Sequence, residues 1–376
     1  MKRILFTHIF PALIAISVIA ISLSGCMGAE DVPAATNKAV TVTFSVVTPR
    51  PNHAANNSRA TWGDPYLSDA GNDFDNLLLS DQLRVLITDN SCTKEIAMTN
   101  LLCTGATEND SEVSYDFIGR IAPAYINGLK SLTDGKLHII ANAGTSARLA
   151  DDTEFVTASN QPDDSFTGIP MWGVKTVDFS RLQQNERFDA GKVELLRAIA
   201  KVEIVIGTDI PDKQENTNFI AAIRSATVNR LNTTGYLLPT GWAEAKETKD
   251  VTKGPETPRT VHTPVGPCLF NPSDDRKSVT FYLPECLNTA ENELYISLNY
   301  ESAAGTAETD DIYFCNYNNS GKPDRENKYD IRRNHLYRFI VRRNGNEIAV
   351  SADVVPYESV DLDPGFGLTP PEDSKD

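Results

Sequence analysis

Ala39-Val-Thr-Val-Thr-Phe-Ser-Val-Val-Thr48 is the stretch around which the rest of this chain is organised. Four of its apolar residues alternate with small hydroxyl residues: Val40, Val42, Phe44 and Val46. A period of two places such side chains on one face of a β-strand. We therefore predict a strand with one buried face.

The N-terminus has the pattern of a secretory signal that ends in a lipid-attachment site. Lys2-Arg3 form a short basic region, and Ile4 to Leu23 is largely apolar. Ser24-Gly25 then place small residues directly before Cys26. This predicts a signal peptide over residues 1–25 and acylation of Cys26, which would anchor the chain to a bacterial membrane. An ordinary signal followed by a chance cysteine is the alternative.

Two flexible stretches flank the predicted strand. Residues 26–38 are small and polar, as in a tether, and Pro49 to Ala60 is rich in Pro, Asn and Ala. Proteases cut preferentially in such polar loops. Arg50 precedes a proline, which makes a poor bond for an arginine-directed protease, whereas Arg59-Ala60 has no such obstacle. Cleavage after Arg59 would remove the lipid and the strand, opening a groove in the sheet that the strand had completed.

Length and charge limit the possible partners. At 376 residues the chain is long enough for two domains, each with its own core. The formal net charge is −16, and the first 25 residues hold Lys2, Arg3 and no acid. An acidic protein of this kind repels nucleic acid and anionic lipid. No stretch after the signal is apolar over the ~18 residues that a membrane helix needs.

Downstream, short strand patterns recur with few helical ones. Asn344-Gly345 between two such runs is the strongest hairpin signal in the chain, and residues 123–133 allow a short helix or loop. Residues 243–272 indicate a long surface loop. We predict an all-β fold of two tandem β-sandwich domains, residues 39–192 and 193–376. The predicted strands are 82–88, 114–121, 136–142, 174–179, 195–206, 219–228, 236–239, 278–283, 294–300, 311–316, 336–341 and 347–355.

The acidic C-terminal tail carries one more strand pattern. Its apolar residues alternate with polar residues or glycine: Val360, Leu362, Pro364, Phe366 and Leu368. One interpretation is a donor strand that completes the open groove of another subunit. The other is a final edge strand or an acidic tail without a partner.

Five cysteines follow Cys26, and none lies in a CxxC spacing that would indicate zinc. Cys92 and Cys103 are close enough in sequence to form a disulfide in an exported protein, worth roughly 3 kcal/mol in the chain-entropy model. The alternative is free cysteines that act as small apolar residues. Because the number is odd, at least one thiol stays free or pairs between chains.

No residue set argues for catalysis, a cofactor or a metal. The histidines lack a Ser or Cys partner in a nucleophile motif, and His335 is expected to fix a strand start by hydrogen bonding. Asp69, Asp73 and Asp75 miss the calcium-loop spacing, which favours a solvated turn. Arg197 and Lys201 are interpreted as structural. Three tryptophans either stack on sugars or serve as core anchors: Trp62, Trp172 and Trp242.

Several motifs together resemble the fimbrillin family, the lipoprotein-derived subunits of the type V pili of Bacteroidetes. They begin with the lipobox at Cys26, the strand at residues 40–47 and the Arg59-Ala60 junction. The later ones are Leu83-Arg-Val-Leu-Ile87, Ile139-Ile-Ala-Asn-Ala-Gly144, Ile169-Pro-Met-Trp-Gly173, Leu196-Arg-Ala-Ile-Ala-Lys-Val202, Phe281-Tyr-Leu-Pro-Glu285 and Arg333-Asn-His-Leu-Tyr337.

The resemblance implies two transthyretin-like sandwich domains and export to the cell surface as an outer-membrane lipoprotein. It also implies maturation by an arginine-specific protease, with Arg59 in the place of the scissile arginine, and polymerisation with other fimbrial subunits by strand exchange. Donor residues would be Val360, Leu362, Phe366 and Leu368. The long loop before Arg59 and the glycines and prolines of the tail depart from the pattern.

The sequence also allows other functions. The family includes anchor subunits that keep their lipid and tip subunits that cap the filament. A surface lipoprotein that binds a glycan or a host receptor is a further alternative, and it predicts a stable monomer that tolerates deletion of its tail. A hydrolase ranks last, since no residue constellation supports it.

Overall fold

A computed structural model of the chain describes residues 39–49, 71–109, 112–150, 154–156, 168–183, 186–207, 222–232, 234–251, 263–270, 278–302, 304–344 and 347–356. Several predicted features lie outside these ranges: the signal peptide, Cys26, the tether, Arg59-Ala60 and the tail with Val360, Leu362, Phe366 and Leu368.

The first part of the chain forms ten strands and one helix. They are β1 (Val40–Pro49), β2 (Arg84–Thr88), β3 (Glu95–Ala97), β4 (Thr99–Glu108), β5 (Glu112–Ile121), α1 (Pro123–Leu129), β6 (Gly135–Ala141), β7 (Glu154–Val156), β8 (Met171–Val177), β9 (Arg187–Glu194) and β10 (Leu196–Arg197). Short 3-10 turns occupy Ser80–Gln82 and Phe179–Arg181.

The second part adds eleven strands. They are β11 (Ile199–Ile206), β12 (Ile223–Leu231), β13 (Thr234–Tyr236), β14 (Thr263–Leu269), β15 (Ser278–Pro284), β16 (Tyr295–Glu301), β17 (Ala307–Tyr313), β18 (Cys315–Tyr317), β19 (Pro323–Lys328), β20 (His335–Asn344) and β21 (Glu347–Pro356). A 3-10 turn occupies Thr248–Asp250.

Four large sheets form two facing pairs. In the first pair, the sheet β4-β5-β1-β9 covers the sheet β10-β8-β6-β2-β3. In the second pair, β15-β11-β20-β21 covers β14-β12-β16-β17. Each pair encloses its own apolar core, one built mainly from residues 40–199 and the other from residues 200–350. The predicted all-β sandwich class is confirmed.

The chain passes from one sandwich to the other at Ala198. β10 pairs with β8 in the first sandwich, and β11 begins one residue later in the second. Both β9 and β10 therefore pair with strands of the first sandwich.

The expectation of a long loop over residues 243–272 is wrong in its second half. Residues 263–269 form β14, which pairs with β12 and has no strand of the described residues on its other side. The prolines at 264 and 267 argued against a strand, but an edge strand tolerates residues that lack an N–H. The predicted hairpin is confirmed, since Asn344 pairs with Glu347 across the turn.

A buried polar cluster joins the two sandwiches. Asp75 is fully buried; its carboxylate accepts hydrogen bonds from the Lys201 ammonium at 2.8 Å and from the Tyr282 hydroxyl at 2.7 Å. Arg197 Nε donates to the Asp75 carbonyl at 2.7 Å, and its Nη1 donates to Asn334 Oδ1 at 2.9 Å. Since Asp75 precedes β2 while Lys201 and Tyr282 lie on β11 and β15, this cluster fastens the start of the first sandwich to the second.

The cluster corrects one prediction and locates two others. Asp75 is not part of a solvated turn, because it is paired inside the protein. Asp75 does lie in a local turn. Asn72 N donates a hydrogen bond to the Asp75 carboxylate at 2.8 Å, and Asp75 N donates one to the Asn72 side chain at 2.9 Å. Arg197 and Lys201 have a structural role, as expected.

A smaller apolar cluster lies on the outer face of the sheet that contains β6 and β8. It is covered by residues 237–251 of the second part of the chain. Trp172 is fully buried there, and Trp242 packs against the cluster. Full burial removes Trp172 as a sugar platform, and the half-buried Trp242 serves as a packing residue. Trp62 lies outside the described residues.

His138 is buried between these two indole rings, with centroid separations of 6.0 Å to each. Burial, together with the nearby Lys136 ammonium, lowers the pKa of His138 to about 3. The ring is therefore neutral at physiological pH. His335 stands at the start of β20, with its Nδ1 2.8 Å from the Arg333 carbonyl oxygen, as predicted for a strand start.

The predicted Cys92–Cys103 disulfide is absent from the structure, where both thiols are free. Cys92 Sγ lies 3.6 Å from Thr88 Oγ1 near the His138 ring, whereas Cys103 is on the edge strand β4. Cys268 and Cys286 belong to the second core, and Cys315 is fully buried. These three fit the alternative, in which cysteine acts as a small apolar residue.

Within the described ranges, no helix is long and apolar enough to cross a bilayer. Over the same residues, no group of three or more His, Cys, Asp or Glu side chains is placed to hold a metal ion.

Replacing Asp75 by alanine should destabilise the protein strongly, because it removes the buried carboxylate that accepts hydrogen bonds from the Lys201 ammonium and the Tyr282 hydroxyl. We expect the free energy of unfolding to fall by about 3 kcal/mol or more, measured by urea denaturation. Asp81→Ala, at an exposed position nearby, is the control and should change it by less than about 0.5 kcal/mol. Equal effects of the two substitutions would contradict this role of Asp75.

Stability should fall as the pH drops from 6.5 toward 3, because the unfolded chain protonates His138 near pH 6.5 while the folded protein resists it until pH about 3. For one such group the slope is roughly 1.4 kcal/mol per pH unit. Denaturation between pH 5.5 and 6.5, above most carboxylate titrations, should show a flatter slope for His138→Gln than for the wild type. Parallel profiles would contradict the assignment.

Candidate functional site: the slot of the first strand

The first strand, β1, lies inside its sheet and not at an edge. It pairs antiparallel with β5 along its whole length, from Val40 opposite Ile121 to Pro49 opposite Glu112. On its other side it pairs parallel with β9. The channel that β1 fills between β5 and β9 is called the slot below. Since ten strand residues span about 33 Å, the slot runs across the whole sheet.

The inner face of β1 supplies part of the first core. Val40, Val42 and Val46 are fully buried, and Phe44 is 2% exposed. The Phe44 ring stacks on the Phe117 ring of β5, with centroids 5.5 Å apart and planes 9° from parallel. Burying four such side chains stabilises the fold by on the order of 10 kcal/mol, as an upper bound. The predicted strand and its buried face are both present.

The outer face of β1 is small and polar, with charged residues on both flanking strands. Ser45 Oγ donates a hydrogen bond to Asp116 of β5 at 2.6 Å. Thr41 stands between Arg120 of β5 and Arg187 of β9, its two pairing partners. Both arginines are exposed, and neither forms an ion pair with any residue that the structure describes. The slot therefore has a positively charged entrance at its Thr41 end.

An ion pair crosses the other end of the slot. Lys192 of β9 pairs with Ser45, and Glu112 of β5 pairs with Pro49, yet Lys192 Nζ and Glu112 Oε1 are 2.7 Å apart. This ion pair therefore crosses the outer face of β1 between Ser45 and Pro49. Val47 lies there on the outer face and is fully buried, although it belongs to none of the apolar cores.

The strand β9 was not predicted, although it forms one wall of the slot. Its sequence, Arg187-Phe-Asp-Ala-Gly-Lys-Val-Glu194, is half charged, and its apolar alternation is broken by an extra residue. The pairing with β1 shifts there: Asp189 pairs with Thr43, but Lys192 pairs with Ser45. Gly191 has a φ of +77°, the left-handed region that such a bulge requires. The apolar residues Phe188, Ala190 and Val193 are the part of this sequence that could have indicated a strand.

The remaining predicted site residues do not come together in the described part of the chain. Cys26, Arg59, Ala60 and the tail residues lie outside it. The Cys92 thiol lies 3.8 Å from His138 Nε2, whereas the Cys103 thiol lies 3.6 Å from the Gly105 carbonyl oxygen. Of the features predicted to take part in strand exchange, the strand at residues 40–47 is the one that the structure describes, and it defines the slot.

Comparison with known proteins gives matches to solved structures alone. No protein-family model and no curated protein matches the sequence. The tip fimbrial protein Mfa3 from Porphyromonas gingivalis, truncated at its C-terminus, has 11% identity and a TM-score of 0.46, covering 84% of this chain and 100% of that one. A candidate cell adhesion protein from Bacteroides uniformis has 11% identity and a TM-score of 0.45, covering 85% and 98%.

A third similar structure is a candidate cell adhesion protein from Bacteroides ovatus. It has 9% identity and a TM-score of 0.41, covering 86% of this chain and 99% of that one.

Truncating the inner face of β1 should destabilise the first sandwich. Phe44→Ala removes the ring that stacks on Phe117 and should lower the free energy of unfolding by about 3–5 kcal/mol in chemical denaturation. Thr43→Ala, one residue away on the outer face, is the matched control and should change it by about 1 kcal/mol or less. A Phe44→Ala effect no larger than that of Thr43→Ala would mean that β1 adds little to the core.

Proposed function

We propose that this protein is a structural subunit of a cell-surface fimbria. The chain is exported as an outer-membrane lipoprotein anchored at Cys26. An arginine-specific protease then cleaves after Arg59, releasing the segment that contains β1. The vacated slot takes up the C-terminal segment of a neighbouring subunit, and repetition of this exchange builds the filament, which supports adhesion.

One observation carries the proposal: the most N-terminal described segment is a central strand of its sheet. A strand that lies between two others can be severed from the chain by a single cut in the loop after it, because its contacts to β5 and β9 are non-covalent. An N-terminal strand at the sheet edge would leave no gap when removed. The predicted cut at Arg59 falls between β1 and the rest of the first sandwich.

An empty slot is unstable, which gives the reaction its direction. Losing β1 exposes two rows of backbone N–H and C=O groups on β5 and β9. It also exposes the core residues under Val40, Val42 and Phe44. A strand with apolar residues at every second position restores both sets of interactions. The gain available, on the order of 10 kcal/mol as an upper bound, is enough for a joint that dissociates slowly without a covalent bond.

The segment that follows the last described strand has the length and composition of a donor strand. β21 is the last described strand, an edge strand that ends at Pro356. Twenty residues follow it, including Val360, Leu362, Phe366 and Leu368. In the proposed exchange, these residues would serve another subunit.

Purified surface filaments should contain this chain with Ala60 as its first residue, as read by N-terminal mass spectrometry. Arg59→Ala should block both cleavage and assembly. Arg50→Ala is the matched control, since Arg50 precedes Pro51, and it should leave both unchanged. A surface form that keeps an acylated Cys26 would contradict the shaft role and identify an anchor subunit instead.

A deletion of residues 357–376 tests the other half of the exchange. We expect the deleted chain to fold and to be cleaved like the wild type but to stop at monomers on denaturing gels without boiling, whereas the wild type forms a ladder. A ladder from the deleted chain would contradict tail donation. A wild-type chain that stays monomeric after cleavage would contradict fimbrial assembly and favour a surface-binding lipoprotein.

A further inference from the structure

We propose that the donor is the segment Leu362–Pro371, and that it enters the slot in the same direction as β1 with Phe366 in the place of Phe44. This assignment rests on the proposed function and adds to it the register of the joint. In this register Leu362 takes the position of Val40 and Pro371 that of Pro49, so the two numbers always differ by 322. Val360 then lies outside the slot, unlike in the broader tail prediction.

The two ten-residue segments match position by position without a gap. β1 is Val40-Thr-Val-Thr-Phe-Ser-Val-Val-Thr-Pro49, and the donor is Leu362-Asp-Pro-Gly-Phe-Gly-Leu-Thr-Pro-Pro371. All four inner positions stay apolar, and the first three outer ones stay small or polar. Phenylalanine and the final proline coincide. The tail therefore copies the side-chain pattern that the slot already accommodates.

The aromatic position fixes the register most sharply. Phe44 is the largest side chain on β1 and is 2% exposed against the Phe117 ring. The cavity it would leave on departure fits another phenylalanine better than a smaller residue, because interiors are closely packed. Phe366 is the only aromatic residue beyond Tyr357.

Charge supports the same register. With Phe366 in place, Asp363 takes the position of Thr41, directly between Arg120 of β5 and Arg187 of β9. These exposed arginines form no ion pair with any residue of the described ranges. A carboxylate between two guanidinium groups forms charge-assisted hydrogen bonds that the threonine of β1 does not provide. The donor is thus favoured over the strand that it replaces at this end.

The far end of the slot fits as well. Thr369 takes the position of Val47, beneath the Lys192–Glu112 ion pair, and it has the same branched shape. Pro370 replaces Thr48, whose buried Oγ1 has no hydrogen-bond partner among the described residues. Removing that hydroxyl removes an unsatisfied polar group.

Other placements of the tail fit less well. A shift by two residues puts Pro364 in the position of Phe44 and leaves the aromatic cavity unfilled. The opposite direction, with Phe366 still on Phe44, places Asp363 on the fully buried Val47. The chosen register has three costs. Pro364 and Pro370 lack the N–H groups that Val42 and Thr48 carry. Thr369 also places a hydroxyl at the fully buried position of Val47.

Disulfide trapping in the assembled protein tests the register. A chain carrying Arg120→Cys is mixed with a chain carrying Asp363→Cys, and both are cleaved after Arg59 and oxidised. We expect an intermolecular disulfide between positions 120 and 363, identified by mass spectrometry of the linked peptides. Asp361→Cys is the matched control, two residues away in the sequence, and should cross-link at least tenfold less. Preferred cross-linking at position 361, or none at either position in assembled protein, would overturn the register.

A synthetic peptide of residues 357–376 with Asp363→Cys separates this inference from filament assembly. It is added to the cleaved Arg120→Cys chain. A 120–363 cross-link with the peptide supports the register even if the whole chain does not polymerise, a result that would count against the proposed function alone. No cross-link with the peptide overturns the register. Arg120→Asp should slow uptake of the wild-type peptide roughly tenfold, and Asp363→Arg in the peptide should restore it.

Discussion

The burial of β1 between β5 and β9 is the constraint on which the rest of the structure depends. Its inner face completes the first core, and its backbone joins two strands that are otherwise not neighbours. In the proposed function, one cut after Arg59 separates this strand from the rest of the chain. The first sandwich would then depend on whichever strand fills its slot.

The second sandwich is joined to the start of the first one by the buried Asp75 cluster. In the proposed exchange, this cluster would hold Asp75 in place when β1 leaves. Burial would raise the pKa of Glu203, which also pairs with Lys201, but Lys201 and Arg338 outweigh burial and hold that pKa below its usual range. Glu203 therefore stays ionised beside Lys201 and Arg338 at neutral pH.

Sequence patterns predicted the elements that alternate strictly and missed those that do not. β1 was found because Val40, Val42, Phe44 and Val46 repeat at every second position. β9 was missed because its charges and the bulge at Gly191 obscure the alternation, and β14 because its prolines are compatible only with an edge strand. Pairing partners lay beyond sequence reasoning: the contact of Asp75 with Lys201 joins residues 126 positions apart. The neighbours of Thr41, which define the charged end of the slot, depend on the same kind of long-range pairing.

Hydrogen–deuterium exchange on the chain cleaved after Arg59 shows directly whether loss of β1 opens the slot. We expect the amides of β5 and β9 to lose protection when the peptide containing β1 is removed. We also expect them to regain protection when a peptide of residues 357–376 is added, while β11 and β15 in the second sandwich stay protected throughout. Unchanged protection of β5 and β9 after loss of β1 would contradict the proposed exchange, since no slot would then have opened.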